Sequence, residues 1–327
     1  MVKFTVIIPV YNVAPYLRDC LKSVILQSFE SWEIIVVDDG STDGSAEILD
    51  QCATADSRIV VVHQANLGVA AARNAALDKV QGDWVLFLDG DDVYAPNAFS
   101  RLSQVINCYD CDVVFFGTYR FKDCDDVSWP QSSRSVTIES VNEIVPIMRS
   151  SSFGGGQAYR WSAIKDIRQE PFHYGEDMLF LTQVLVRSSR IAFMSDCLYG
   201  YRMRATSAMH RGYSVRYFDD LIRTRFLALR EIAHCKKKLD GYSAKWIGGE
   251  LTEEASMVLR KLGGVERSDV LSKYRNICAE VSILDVGLNS FDRMRLWVVS
   301  RIPLLRGLVC DLPRFFRSLY GRLRRSL

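Results

Sequence analysis

The chain is 327 residues long, 48% hydrophobic and 24% charged, with a net charge of +2. These are the values of an ordinary globular protein with a full core, which excludes a disordered or disulfide-stapled chain. No nucleic-acid partner is expected at so small a net charge, and no stretch reaches the ~18 uncharged apolar residues that a membrane-spanning helix needs.

The charge is unevenly placed. Residues 291–327 hold nine Arg and two Asp, which makes that stretch about +7 and the remainder about −5. Nine cysteines without framework spacing point to reduced thiols and a cytosolic setting. Cys108-Tyr109-Asp110-Cys111 is a lone C-x-x-C and reads as a pair of free thiols rather than half of a zinc site. Met1-Val2-Lys3-Phe4-Thr5 runs straight into a strand-like segment, so no signal peptide is expected.

In chain order, Val6-Ile7-Ile8 reads as a buried strand. Pro15 to Ser28 follows as a helix, with Leu17, Leu21, Val24 and Ile25 at helical spacing and Pro15 suited to a first turn. Ile34–Val37 is the second strand and Ser45–Ala55 the second helix. Ile59–Val62 is the third strand, followed by an alanine-rich helix over Ala70–Val80. Trp84–Leu88 is the fourth strand, Pro96–Ile106 the fourth helix and Val113–Phe116 the next strand. Continuous apolar strands separated by helices predict a mainly parallel, Rossmann-like α/β sheet covered on both faces. Right-handed crossovers put its strand-end loops on one edge. From 117 to 160 the pattern loosens: Lys122–Asp126 reads as a solvated turn and Ser150–Gly156 as a flexible loop. Arg190–Met194 and Leu198–Arg202 read as two further strands. Segments beyond about 214 read as helical, which predicts an α/β domain over 1–212 and a helical region over 213–327.

Two of the apolar strands end in acid clusters, Asp38-Asp39-Gly40-Ser41 and Asp89-Gly90-Asp91-Asp92. Open α/β sheets bind ligands at such strand ends, and this pairing points to a nucleotide and a divalent cation. Asp89-Gly90-Asp91 supplies two carboxylates on one turn, with Gly90 letting the backbone bend; the other reading is a capped turn before the helix at Pro96. Asp39 offers an acceptor for the imide N–H of a uracil-type base, while Asp43 is a candidate cap for the helix at Ser45. Tyr11 is a candidate to pack near the base, and Asn12 to hold its loop by side-chain hydrogen bonds. Arg73 reaches either a phosphate or a strand-end Asp. Tyr174-Gly175-Glu176-Asp177 delivers two acids to the start of an apolar helix. There they serve either the helix dipole or the deprotonation of an incoming hydroxyl. Neither a Gly-x-Gly-x-x-Gly turn after the first strand nor a Gly-Lys-Ser/Thr loop is present.

Val-Ile-Ile-Pro-Val-Tyr-Asn at 6–12, Val-Asp-Asp-Gly-Ser-Thr-Asp at 37–43, Asn-Leu-Gly-Val-Ala-Ala-Ala-Arg-Asn at 66–74, Leu-Asp-Gly-Asp-Asp at 88–92 and Gly-Glu-Asp at 175–177 occur in one order. Together they resemble the family 2 inverting glycosyltransferases of the GT-A fold, over about residues 3–205. The chain is similar to members that build bacterial capsules, exopolysaccharides and O-antigens. The resemblance implies a nucleotide-sugar donor, usually UDP-linked, and Mn²⁺ or Mg²⁺. It places Asp39 at the base, Asp89 at the ribose, and Pro9, Tyr11 and Arg73 along the nucleotide. Asp91 would ligate the metal, with Asp92 beside it. Asp177 would be the catalytic base and Glu176 would flank the acceptor, with Gln157 and Arg160 as further acceptor-side candidates. Processive synthases of this family carry membrane spans and a Gln-x-x-Arg-Trp motif; neither is found, so transfer of a single sugar is expected. The alternative classes are a sugar-phosphate nucleotidyltransferase, whose glycine-rich basic loop Pro9-Val10-Tyr11-Asn12 does not match, and a non-catalytic nucleotide-binding scaffold at a membrane.

From Phe291 onward, aromatic and aliphatic residues alternate with arginines. Phe315, Phe316, Leu319, Tyr320 and Leu323 share one helical face, ringed by Arg314, Arg317, Arg322, Arg324 and Arg325. Such a helix either lies on an anionic membrane surface or packs on the catalytic domain. The first reading predicts a peripheral protein on the cytoplasmic face of the cell membrane, acting on a lipid-linked glycan acceptor.

Overall fold

The computed structural model describes residues 2–122, 128–130, 135–140, 155–204 and 214–234, together with 269, 270, 272, 273, 276 and 277. The chain divides into two compact units, Met1–Arg211 and Gly212–Leu327.

The first unit opens with β1 (Phe4–Val10), α1 (Ala14–Ile25), β2 (Trp32–Asp38), α2 (Ser45–Ala55), β3 (Ile59–His63), α3 (Val69–Leu77) and β4 (Trp84–Phe87). The four strands pair in parallel in the order β3-β2-β1-β4. Helices cover both faces of such a sheet, so its strands need apolar side chains on both sides; Phe4, Val6, Ile7, Ile8, Ile34, Val36, Val37, Val85 and Leu86 are all fully buried. The register aligns the strand ends. Val10 pairs with Asp38, Asp38 with His63, and Ile7 with Phe87. The chain therefore delivers Asp38, Asp39 and Asp89 to the same carboxyl edge.

The second half is mixed rather than parallel. It comprises β5 (Val93–Tyr94), α4 (Ala98–Cys108), β6 (Val113–Lys122), β7 (Val136–Ser140), β8 (Gln157–Arg160), a short α5 (Trp161–Ile164), α6 (Glu176–Arg187) and β9 (Arg190–Met203). The sheet continues as β4-β8-β6-β9-β5, with β7 also pairing β9. β8 lies antiparallel between β4 and β6, so the strand after α4 does not adjoin β4 as the alternating pattern implies. Short β5, β7 and β8 carry too few residues to show a period. β9 is one strand rather than two. Its register against β6 shifts on either side of Gly117, where a Cβ would come within 2.8 Å of Cys197 Sγ. The bulge absorbs Met194, Ser195 and Asp196 between the Phe115–Phe193 and Gly117–Cys197 pairs, where the polar Ser195 and Asp196 interrupt the apolar pattern. In the second unit, α7 (Val215–His234) buries Phe218, Leu221, Ile222, Ala228 and Leu229. The expected turn at 122–126 and the basic tail at 291–327 lie almost wholly outside the described residues. Among the described residues no helix is long and apolar enough to cross a membrane.

Candidate active site at the carboxyl edge of the sheet

Asp39 follows β2 directly and is buried. Its Oδ1 accepts hydrogen bonds from Gln64 Nε2 at 2.7 Å and the Leu67 amide at 2.8 Å, and its Oδ2 accepts from the Gly68 amide at 2.8 Å. A carboxylate accepts about four bonds, so Asp39 shapes the 64–68 loop and keeps capacity toward its open side. Gly40 has φ +75°, and a Cβ there would lie 3.0 Å from the Asn66 amide; only glycine makes that close turn easily. Asn12, itself at φ 53°, accepts from the Thr42 amide at 2.8 Å while its own amide donates to Ser41 Oγ at 3.1 Å. The loops after β1 and β2 are thus stitched by Asn12, and Tyr11 just before it stands 47% exposed. Asp43 accepts from both the amide and the hydroxyl of Ser45 and also from the Ala14 amide. It therefore serves the first turns of both α1 and α2. Burial opposes its charge, but these bonds outweigh burial and hold its carboxyl below the usual range.

The second acid cluster separates into three surroundings. Asp89 accepts from Arg73 Nη2 at 2.9 Å and is partly open to solvent. Asp91 is paired with Arg204; burial and then Asp89 push its carboxyl up. Asp92, expected beside a metal, is 1% exposed. Its Oδ2 accepts the Tyr199 hydroxyl at 2.6 Å and its Oδ1 the Arg202 amide at 2.8 Å. It anchors the turn to β9 instead of offering an open oxygen pair, and burial followed by repulsion from Asp91 and Asp89 pushes its carboxyl well up. Gly90 does not supply a bend through a positive φ. A Cβ there would approach Val13 Cγ2 at 3.0 Å and the Pro9 carbonyl at 3.3 Å, so the glycine serves close packing of the turn on β1.

Arg73 of α3 is 4% exposed and lies between two acids: Nη2 holds Asp89, and Nη1 stands 3.6 Å from Glu176 Oε1. The salt bridge to a strand-end Asp that the sequence offers for Arg73 is present. Glu176 opens α6 behind Gly175, which has φ 79°. Burial, and then Asp177, push Glu176 up to about 7, against the pull of Arg73. Asp177 lies in the same first turn and accepts from the Met178 amide at 2.7 Å. An aromatic triangle fixes this helix end to the sheet, with Phe87–Phe180, Phe87–Tyr159 and Tyr159–Phe180 centroids 5.6, 5.9 and 5.7 Å apart. Edge-on ring contacts of this kind hold an element at a defined angle.

The acceptor-side candidates divide. Gln157 is buried at the start of β8, one position beyond the Leu86–Ala158 pair and on the Asp89 side. Arg160 pairs with Trp84 at the opposite end of β4 and bonds Asp110 and the Cys111 carbonyl. It is a structural residue of the far edge, because three residues of antiparallel strand carry it about 10 Å away. Of the glycine run, Gly155 packs on Tyr199; a Cβ would lie 2.5 Å from Tyr199 Cζ. Tyr199 and Arg204 escaped the sequence reading, since a strand tyrosine and a lone arginine carry no motif. The alternation of Arg202 and Arg204 at the end of an apolar strand was the one available signal. Arg202 donates to the Asp91 carbonyl at 2.8 Å and lies over Phe121.

Among the described residues no group of three His, Cys, Asp or Glu side chains could hold a metal ion. A Mg²⁺- or Mn²⁺-type site needs less than that, one or two carboxylates with phosphate oxygens and waters. Asp91 fits this donor set: its carboxylate is ion-paired with Arg204 and also feels the charge of Arg202, and a cation can take the place of that pairing.

A parallel half-sheet with acids at its carboxyl edge, joined by a mixed half that returns two more acids to that edge, defines a nucleotide-sugar transferase fold of GT-A type. Glycosyl transferase family 2 matches residues 5–196, and the chain belongs to that family. It is 33% identical over 231 residues to the glycosyltransferase GlyA of Streptococcus pneumoniae serotype 4, a match covering 67% of this chain and 33% of GlyA. It is 30% identical over 230 residues to GlyG of the same organism, covering 67% of this chain and 76% of GlyG. The crystal structure of S. aureus TarS 1–349 in complex with UDP-GlcNAc superposes with a TM-score of 0.78 at 24% identity, covering 95% of this chain and 91% of TarS 1–349. That likeness shows the fold.

Proposed function

We propose that the protein moves one sugar from a UDP-sugar to a hydroxyl of a glycan or lipid-linked oligosaccharide, with inversion at the sugar carbon, in the synthesis of cell-surface polysaccharide. The observation that carries this is the meeting of Asp39, Asp89 and Asp91 with Glu176 and Asp177 on one sheet edge. Nucleotide binding alone explains the first three acids. The last two are the ones this reading assigns to the acceptor.

In this reading Asp39 accepts from the base, Tyr11 and Pro9 pack against it, and Asp89 holds the ribose. Asp91 would hold the divalent cation, and that cation, when bound, neutralises the diphosphate. Asp177 takes the acceptor's hydroxyl proton. The acceptor oxygen then bonds to the sugar carbon as the bond from that carbon to the phosphate oxygen breaks, and UDP leaves with the electron pair. Displacement from the opposite face requires such a base. TarS, a protein of the same fold, holds UDP-GlcNAc in its crystal, which makes UDP-GlcNAc the first donor to test. The nine arginines of residues 291–327 support a peripheral station at the inner membrane face, where a lipid-linked acceptor is presented.

The test is Asp177→Asn. UDP binding by calorimetry stays within about threefold of wild type, and transfer falls by at least ~10²-fold, the scale of a lost general base. Wild-type transfer rates in this variant would sink the assignment.

A further inference from the structure

We propose that Arg73 is a positioning residue: it ties the donor-side carboxylate Asp89 to the acceptor-side Glu176, and so sets where the first turn of α6, with Asp177, stands relative to the sugar–phosphate bond. The inference rests on the transferase reading above.

Three segments distant in sequence meet at this one guanidinium. Nη2 donates to Asp89 Oδ1 at 2.9 Å, Nη1 donates to Gln169 Oε1 at 3.3 Å, and Nη1 lies 3.6 Å from Glu176 Oε1. Nε is buried without a hydrogen-bond partner. A phosphate-gripping arginine presents its fork to the ligand. Here both Nη atoms are spent on protein groups and the side chain is 5% exposed. The neighbouring Asn74 brackets the Gln169 backbone, donating to its carbonyl and accepting from its amide, each at 2.8 Å. Arg73 and Asn74 together fasten the chain leading into α6 onto α3. The guanidinium also stands over the Phe87 ring at 5.8 Å, so the charged tie sits on the same aromatic triangle that seats α6.

The chemistry of the link explains why it would be arginine. A planar fork with five donors holds several partners at once, whereas an ammonium is a flexible point charge. The link also joins two functions. When a donor engages Asp89, the guanidinium's balance between Asp89 and Glu176 changes, and Glu176 is one residue from the proposed base.

The experiment uses the full chain as wild type, Arg73→Lys, Arg73→Gln, Glu176→Gln and the Arg73→Gln/Glu176→Gln double variant. It measures UDP affinity by calorimetry and UDP release from UDP-GlcNAc. In Arg73→Lys, UDP affinity and donor KM stay within about threefold while kcat falls at least ~30-fold, the signature of an interaction used in the transition state. The double variant is no slower than Arg73→Gln, because residues acting as one unit are non-additive. UDP affinity lowered tens-fold with kcat retained makes Arg73 a phosphate ligand and overturns the proposal, and so do multiplicative losses in the double variant. Melting temperatures of the same proteins read the tie without turnover. Glu176→Gln is better tolerated in the Arg73→Gln background than in wild type, because the glutamate no longer has its counter-charge; additive shifts overturn the tie. If wild type releases no UDP from any UDP-sugar, the transferase reading falls, and the melting cycle alone decides whether Arg73 ties the two acids.

Discussion

Asp91 and Asp92 are adjacent in sequence and opposite in circumstance. One faces Arg204 in a partly open position, and the other is enclosed by Tyr199 and a β9 amide. A run of acids in a sequence shows that charge collects at a strand end. Which member stays available depends on what folds over it, and here a tyrosine some hundred residues later decides. Asp39 and Arg73 were legible because each sits in a sequence motif at a strand end or a helix start, although their partners are distant; Arg204 and Tyr199 were not, because they carry no motif and their partners, Asp91 and Asp92, lie some hundred residues away. The same scale carries a pH prediction. Glu176 is raised from 4.5 to about 7. Between those values the folded protein holds a proton that the unfolded chain has released, so this stability is present at low pH and is lost as pH rises through the window. Glu176→Gln removes that dependence. Its stability declines less than wild type between pH 4.5 and 7, by on the order of 3 kcal/mol, as read by urea unfolding across pH. Parallel declines in the two proteins would count against a buried, proton-holding Glu176.

At the scale of elements, α6 is the piece that makes the edge a reaction site, and its placement rests on packing. Phe180 lies one turn beyond Glu176 and completes the triangle with Phe87 and Tyr159. Phe180→Ala is expected to cost about 3–5 kcal/mol of stability. It is also expected to lower transfer more than UDP binding, because the nucleotide side of the edge does not depend on this ring. Equal losses in affinity and turnover would show that α6 is not seated by the triangle. The helix itself was readable: a polar turn, a glycine and an apolar run mark its start. Its partners were not, since β8 offers four residues, too few for any period, and its insertion between β4 and β6 is a matter of pairing.

For the whole molecule, the parallel half and the acids on its edge belong to the first unit, Met1–Arg211. The basic tail belongs to the proposal of a membrane station, and it gives a direct test. Replacing Arg314, Arg317, Arg322, Arg324 and Arg325 by Gln in the full chain should reduce sedimentation with anionic phosphatidylserine vesicles by roughly tenfold or more, at about 1 kcal/mol per basic residue near the surface. UDP affinity should be unchanged. Undiminished sedimentation would assign those arginines to packing against protein. The sequence by itself determined the parallel half-sheet, the five ordered motifs and the collection of acids at strand ends, because each depends on local periodicity or on residues within one turn of each other. Only the tertiary structure decided that β8 divides the sheet, that Asp92 is sealed by Tyr199 and a β9 amide while Asp91 pairs with Arg204, and that Arg73 joins Asp89 to Glu176. Those outcomes depend on pairing and burial between residues from 16 to more than a hundred positions apart, and no local pattern encodes them.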